Sequence, residues 1–182
     1  EQVSLVGILD ADGLLNFADF RVGERAFQLM EQVSGRAGRK DGLGKVLIQV
    51  SNIHHPVLQF VQRHDYPAMY QEEIAHRKDF HYPPFTRLLR LVFKHRDTHT
   101  ARQAAGIMAQ GLQQLPAIEV LGPAPGAIER IRGQYYWEIL IKIPKQPGML
   151  SACRKIIDQQ MAILQSAKQY ARVMLSADVD PV

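Results

Sequence analysis

Two arginines stand three residues apart in the stretch QVSGRAGR, Gln32 to Arg39, and each follows a glycine. A guanidinium is planar, permanently charged and matched to the oxygens of a phosphate. On so bare a backbone, Arg36 and Arg39 read either as a solvated turn or as two cations that reach a phosphate. The second reading is what an arginine finger needs, because charge spreading over a transferring phosphoryl group must be offset at close range. Gly35 and Gly38 remove side chains that would block a nucleotide, and Gln32 precedes them by one helical turn. A second group is Arg130 and Arg132 beside Tyr135, Tyr136 and Trp137, in ERIRGQYYWEILIK. Cations release counterions from a nucleic-acid backbone, and aromatic faces stack on bases. Strand alternation sends Tyr135 and Trp137 to one face and Tyr136 to the other. At least one set therefore belongs to a core, and Trp137 is the first candidate.

The elements that must hold the first group read as α/β. Val3 to Leu9 is a continuous apolar run, expected as a strand buried on both faces. It ends in DADG, which puts Asp10 and Asp12 at a strand's carboxyl end, where open sheets place ligand crevices; ordinary turn aspartates read equally well. Asp19 is expected to cap a helix to Ser34 with Ala26, Phe27, Met30 and Val33 on one stripe. Gly35 is expected to end it in the left-handed conformation. Lys45 to Val50 reads as a second buried strand. Pro56 and Pro67 each fit the first turn of a helix, making residues 54–82 a helical connector. The prolines of YPPF then stop helix formation and form a rigid joint.

From Phe85 the pattern changes. Phe85 to His95 reads as a strand and Thr98 to Gln114 as a helix capped by Thr98 or Thr100. Ile118 to Gly122 is a short strand continued by AIERIR, and Tyr135 to Ile143 pairs back across Gly133-Gln134 as a hairpin. Met149 to Gln165 is a helix with Cys153, Ile156, Ile157, Met161 and Leu164 inward, followed by a last strand in ARVMLSADVD. The order β-α-β-β-α-β is the ferredoxin-like pattern. It sets two helices on one sheet face and leaves the other face for a partner.

The chain has 182 residues, 46% of them hydrophobic, and a formal net charge of +4. That charge is uneven. Residues 83–182 carry thirteen basic and seven acidic side chains, whereas residues 1–53 and 54–82 are each about neutral. Such an excess suits nucleic acid or an acidic partner. No apolar run reaches the roughly 18 residues of a membrane helix. One cysteine, Cys153, excludes an internal disulfide and a cysteine-based zinc site, and fits a reducing, cytoplasmic setting. Its place on a helical apolar stripe reads as core. His95 and His99 straddle a strand end with no third ligand, so a metal site is not expected. The chain opens directly on a strand without an initiator methionine and reads as a piece of a longer protein.

The spacing Q-x-x-G-R-x-G-R between a helix and a strand resembles motif VI of superfamily 2 helicases. The flanking LVGILDADGLLNFADFRVGER, KVLIQV, YPPF, VLGPAP, YYWEILIK and DVDP extend the resemblance over essentially the whole chain to the C-terminal part of the primosomal protein N′ (PriA) family of bacterial replication-restart helicases. The resemblance implies an ATP-dependent 3′-to-5′ DNA helicase that restarts stalled forks. Residues 1–53 would then be the C-terminal portion of a second RecA-like lobe, and residues 83–182 a ferredoxin-like domain. Arg36 and Arg39 would be the catalytic cations, with Gln32, Gly35 and Gly38 on the nucleotide. Implied cofactors are ATP and Mg²⁺, with zinc held elsewhere in such proteins. Implied partners are forked and single-stranded DNA, single-stranded DNA-binding protein and other primosome proteins, in a bacterial, nucleoid-associated setting. Arg130, Arg132, Tyr136, Lys145 and Arg154 would contact DNA or the acidic tail of single-stranded DNA-binding protein. Asp10, Asp12, Asp19, Arg21, Glu24 and Arg25 fall in family-typical text without assigned roles. No G-x-x-x-x-G-K-[ST] and no strand-terminal Asp-Glu pair occur, so the phosphate cradle is absent from these residues and no independent ATPase is expected. The alternative is a non-enzymatic nucleic-acid or protein-binding module whose α/β piece is structural.

Overall fold

The computed structural model describes residues 4–17, 19–37 and 44–181. They divide into two compact units, Glu1–Phe80 and His81–Val182.

In the first unit, β1 (Leu5–Ile8) and β2 (Lys45–Ile48) pair in parallel, Leu5 opposite Lys45 and Ile8 opposite Ile48. Between them lie α1 (Asp12–Leu15) and α2 (Val22–Ser34), and after them α3 (Pro56–Arg63) and α4 (Tyr66–Asp79). One apolar cluster unites Ala11, Leu15, Ala26, Phe27, Met30, Val57, Leu58, Val61 and Met69. The segment read as a connector thus supplies part of this core. Its prolines sit in first turns as expected, and its caps are His55, accepting from Val57 N at 3.3 Å, and Asp65, accepting from Ala68 N at 3.0 Å.

Two expectations are corrected here. β1 is not buried on both faces: Leu5 is 55% and Leu47 62% exposed, while Ile8 and Ile48 pack inward. Only one face of this two-stranded sheet meets described residues, so alternate side chains stay open to solvent whatever their hydrophobicity. Asp19 does not cap α2 as expected. The N-cap position falls to Arg21, and Asp19 lies two residues earlier, accepting from Arg21 N at 3.0 Å.

The second unit runs β3 (Thr86–His95), α5 (Thr98–Leu112), β4 (Glu119–Ile131), β5 (Gln134–Pro144), α6 (Met149–Ser166), β6 (Met174–Val179). Its sheet has the order β4-β5-β3-β6 with every neighbour antiparallel. Leu89, Leu91 and Phe93 of β3 and Ile139, Ile141 and Ile143 of β5 share a core with Ala104, Ala105, Met108 and Leu112 of α5 and Cys153 and Leu164 of α6. Those strand residues are all odd-numbered, so both helices cover one face and even-numbered residues point to the other. Two local expectations shift. α5 is capped by Asp97 rather than by a threonine: its carboxylate accepts from Thr100 N at 2.8 Å and from Thr100 Oγ1 at 2.7 Å. The β4–β5 hairpin turns on Arg132-Gly133, with φ of 50° and 78°, and Ile131 pairs with Gln134. Two positive φ values in a two-residue loop are those of a type I′ turn, whose twist suits the flanking strands. Among the described residues no helix is long and apolar enough to cross a membrane.

Candidate nucleic-acid interface and arginine segment

The arginine segment grows out of the end of α2. Ser34 Oγ donates to Met30 O at 2.7 Å, Gly35 N to Glu31 O at 2.9 Å, and Arg36 N to Val33 O at 3.1 Å. The helix therefore tightens into turns rather than stopping on a left-handed residue. Gly35 is the C-cap residue, as expected, but with φ −66°, which corrects only its expected left-handed conformation. Gln32 and Arg36 are exposed, and the Arg36 side chain has no partner among the described residues. A glycine-preceded, unneutralised guanidinium at a helix end can meet an anionic group. Gly38 and Arg39 lie outside the described residues.

The helix that carries Arg36 is tied down along its length. Asp19, itself nearly buried, takes Arg25 at 2.7 Å near its start. Glu31 meets His64 Nδ1 at 3.0 Å near its end. In its first turn Glu24 binds Arg77 of α4 at 2.6 Å, and Arg77 Nε lies 3.7 Å from Glu73. Burial pushes the Glu73 carboxyl above the usual range, with Arg77 opposing. The sequence reading missed Arg77, although its i, i+4 spacing from Glu73 was a signal. Asp12 is likewise structural: its carboxylate accepts from Ser51 N at 2.9 Å and Ser51 Oγ at 2.7 Å, joining the ends of the two strands. Those bonds give Asp12 a structural role, and one buried cysteine does not fit zinc. Among the described residues no group of three His, Cys, Asp or Glu side chains could hold a metal ion.

In the second unit the aromatic cluster is split by the sheet. Trp137 packs against the helical core, donates its indole N–H to Thr98 Oγ1 at 3.0 Å and lies under Arg102, 5.4 Å from the ring centroid. Arg130 stands opposite Tyr135 in register and 5.1 Å over its ring, on the same side. Tyr136 faces the other way, toward the side free of helices, with Lys94 Nζ 5.4 Å from its ring centroid. Arg130 and Tyr136, on paired strands, therefore lie on opposite faces of one sheet end. Arg132 projects at the hairpin tip. Lys94, Arg96 and Arg102, which the sequence reading did not single out, bring further charge to the same end through pairings such as Lys94 with Tyr136 and His95 with Tyr135.

The helix-free face is electrostatically mixed. Arg90 pairs with Asp178 at 2.8 Å. At the far end Lys142 binds Glu119 at 3.2 Å and lies 4.5 Å from the Tyr82 ring centroid. Lys145, in the loop after β5, and Arg154, on α6, are exposed and make no ion pair among the described residues. His95 Nδ1 accepts from Asp97 N at 3.0 Å and His99 meets Gln103, so the two histidines serve different partners. Burial raises the Cys153 thiol above its usual range, consistent with an inert core residue.

A two-unit, mixed α/β chain with an antiparallel sheet whose hairpin end gathers cations and aromatics is the class these features define. The model of the family described as "Primosomal protein N C-terminal domain" matches residues 78–182, and the chain belongs to that family. It is 40% identical over 187 residues to the replication restart protein PriA of Synechocystis sp., a match covering 100% of this chain and 21% of that one. The proteins of the same name from Bacillus subtilis and Treponema pallidum are 35% and 39% identical, over 98% of this chain and 22% and 26% of theirs. The chain spans between a fifth and about a quarter of the length of these relatives.

Proposed function

We propose that this chain is the C-terminal part of an ATP-dependent 3′-to-5′ DNA helicase that restarts stalled replication forks in the bacterial cytoplasm. The observation that carries the reading is the likeness to replication restart proteins over 98–100% of the chain, since it spans both units rather than one motif. The first unit is the end of a second RecA-like lobe. Gln32, Gly35, Arg36, Gly38 and Arg39 face the triphosphate of ATP, whose cradle and Mg²⁺ ligands belong to another part of the protein. The bound nucleotide supplies the free energy of its hydrolysis, and the arginines stabilise developing charge. The exposed, unpaired Arg36 supports this assignment.

The second unit is a ferredoxin-like domain, a reading supported by its element order and its strand order β4-β5-β3-β6. Arg130 and Arg132 contact DNA phosphates, and Tyr136 stacks on a base. Lys145 and Arg154 take the acidic tail of single-stranded DNA-binding protein. Within the full-length protein, Arg36→Ala or Arg39→Ala should lower DNA-stimulated ATP hydrolysis by at least about a thousandfold while DNA affinity holds. Normal turnover in both variants would remove the finger assignment. By itself the chain is expected to act as a DNA-binding module without ATPase activity.

A further inference from the structure

Glu138 sits in the middle of the helix-free face and has no hydrogen bond or ion pair among the described residues. Its register neighbours are Val92 on β3 and Ala124 on β4, neither of which offers a donor side chain. The residue as a whole is half-buried, and its carboxylate oxygens are not among the buried atoms that lack a partner, so they stay open to a ligand. Two residues before it on the same face stands Tyr136, about 6.5–7 Å along the strand. Lys94 Nζ lies over one face of that ring, 5.4 Å from its centroid, so a stacked base takes the other face or displaces the ammonium. Gly126 on β4 backs the pair. A Cβ there would lie 2.9 Å from Glu138 Oε1 and 3.2 Å from Tyr136 Cβ, so the glycine leaves both side chains their present positions.

We propose that Tyr136 and Glu138 form a one-base subsite for single-stranded DNA, in which a base stacked on Tyr136 is selected by Glu138 for an exocyclic amine. The inference rests on the DNA-binding reading of this unit and adds a specificity to it. An ionised carboxylate only accepts hydrogen bonds. It therefore accepts from cytosine N4–H₂ or adenine N6–H₂ and repels the carbonyl oxygens of thymine. Lys94, together with Arg96 beyond the strand end, offsets the phosphate charge that Glu138 would otherwise repel. A four-stranded sheet with an aromatic on a central strand is a geometry known to hold splayed-out bases.

The test is fluorescence anisotropy of the chain with labelled oligo-dC and oligo-dT of about twelve nucleotides. The wild-type chain should favour oligo-dC by about tenfold. Glu138→Gln, whose amide both donates and accepts, should erase that preference with oligo-dC affinity falling and oligo-dT affinity rising. Tyr136→Ala should weaken both oligonucleotides alike, and Tyr136→Phe should restore both. Circular dichroism of each variant checks that the fold persists, and Gly126→Ala, which crowds the same pair from the backbone side, should reduce the preference independently. Equal affinity of the wild type for the two oligonucleotides, or a preference that survives in Glu138→Gln, overturns the subsite while leaving DNA binding intact. No binding to either oligonucleotide overturns the DNA-binding reading and the subsite with it.

Discussion

At the scale of single residues, the second unit separates side chains that are adjacent in sequence. Arg130 and Arg132 make no ion pair among the described residues, Arg130 lying over the Tyr135 ring, whereas Trp137 is engaged by Thr98 and Arg102. Binding of single-stranded DNA to the chain should therefore weaken steeply with salt. Arg130→Ala with Arg132→Ala should lower the slope of log affinity against log salt by about 1.4, two phosphate contacts at the value for single strands. Titrations at several ionic strengths measure this directly; an unchanged slope would place the phosphate contacts elsewhere. Asp97 gives a residue-scale effect of another kind. Hydrogen bonds from Thr100 hold its carboxyl below the usual aspartate range. A lowered folded value means that the ionised cap stabilises the fold above the unfolded-state pKa, and that this contribution is lost as the pH falls through the folded-state value. Asp97→Ala should thus lower the melting temperature at neutral pH, and the gap from wild type should close in strong acid.

At the scale of elements, the helices were the most legible part of the sequence. The apolar spacing of Ala26, Phe27 and Met30, and of Cys153 and Leu164, is that of one buried helical face, and those residues are buried. Caps were less legible, because Asp, Ser and Thr near a helix start all offer an acceptor. Which one bonds depends on local backbone direction, and at α5 that favours Asp97 one residue before the threonines. Strand burial was misread at β1 because an apolar run says nothing about how many layers cover it. In the candidate interface, alternation separated Tyr136 from Tyr135 and Trp137, but Lys94 and Glu138 acquire meaning only from register across strands. For Arg77 the spacing from Glu73 is legible, but its closest carboxylate, 53 positions away on α2, is known only from helix packing. The Glu24–Arg77 contact is the main ionic tie between α2 and α4, and both side chains are mostly covered. Breaking it leaves a part-buried charge, so Glu24→Gln should destabilise the first unit by about 1–3 kcal/mol, read by urea unfolding of the chain.

At the scale of the molecule, each unit has its own core, and a truncation in one should register there. Phe93 is fully buried between β5 and the helices of the second unit. Phe93→Ala should cost that unit about 3–5 kcal/mol, seen as a lowered urea midpoint for near-ultraviolet signals from Trp137 in the same cluster. The units also differ in charge, with the positive excess confined to residues 83–182. The first unit, close to neutral, is the one whose sheet leaves Leu5 and Leu47 bare. Colloidal behaviour follows from that combination: little mutual repulsion and bare leucines on the same unit should make it the part that limits how far the chain by itself can be concentrated. Replacing Leu5 and Leu47 with lysine should raise the concentration at which light scattering appears, at unchanged affinity for DNA. The handling properties of this chain by itself would then be set at the opposite end of the sequence from its candidate binding surface.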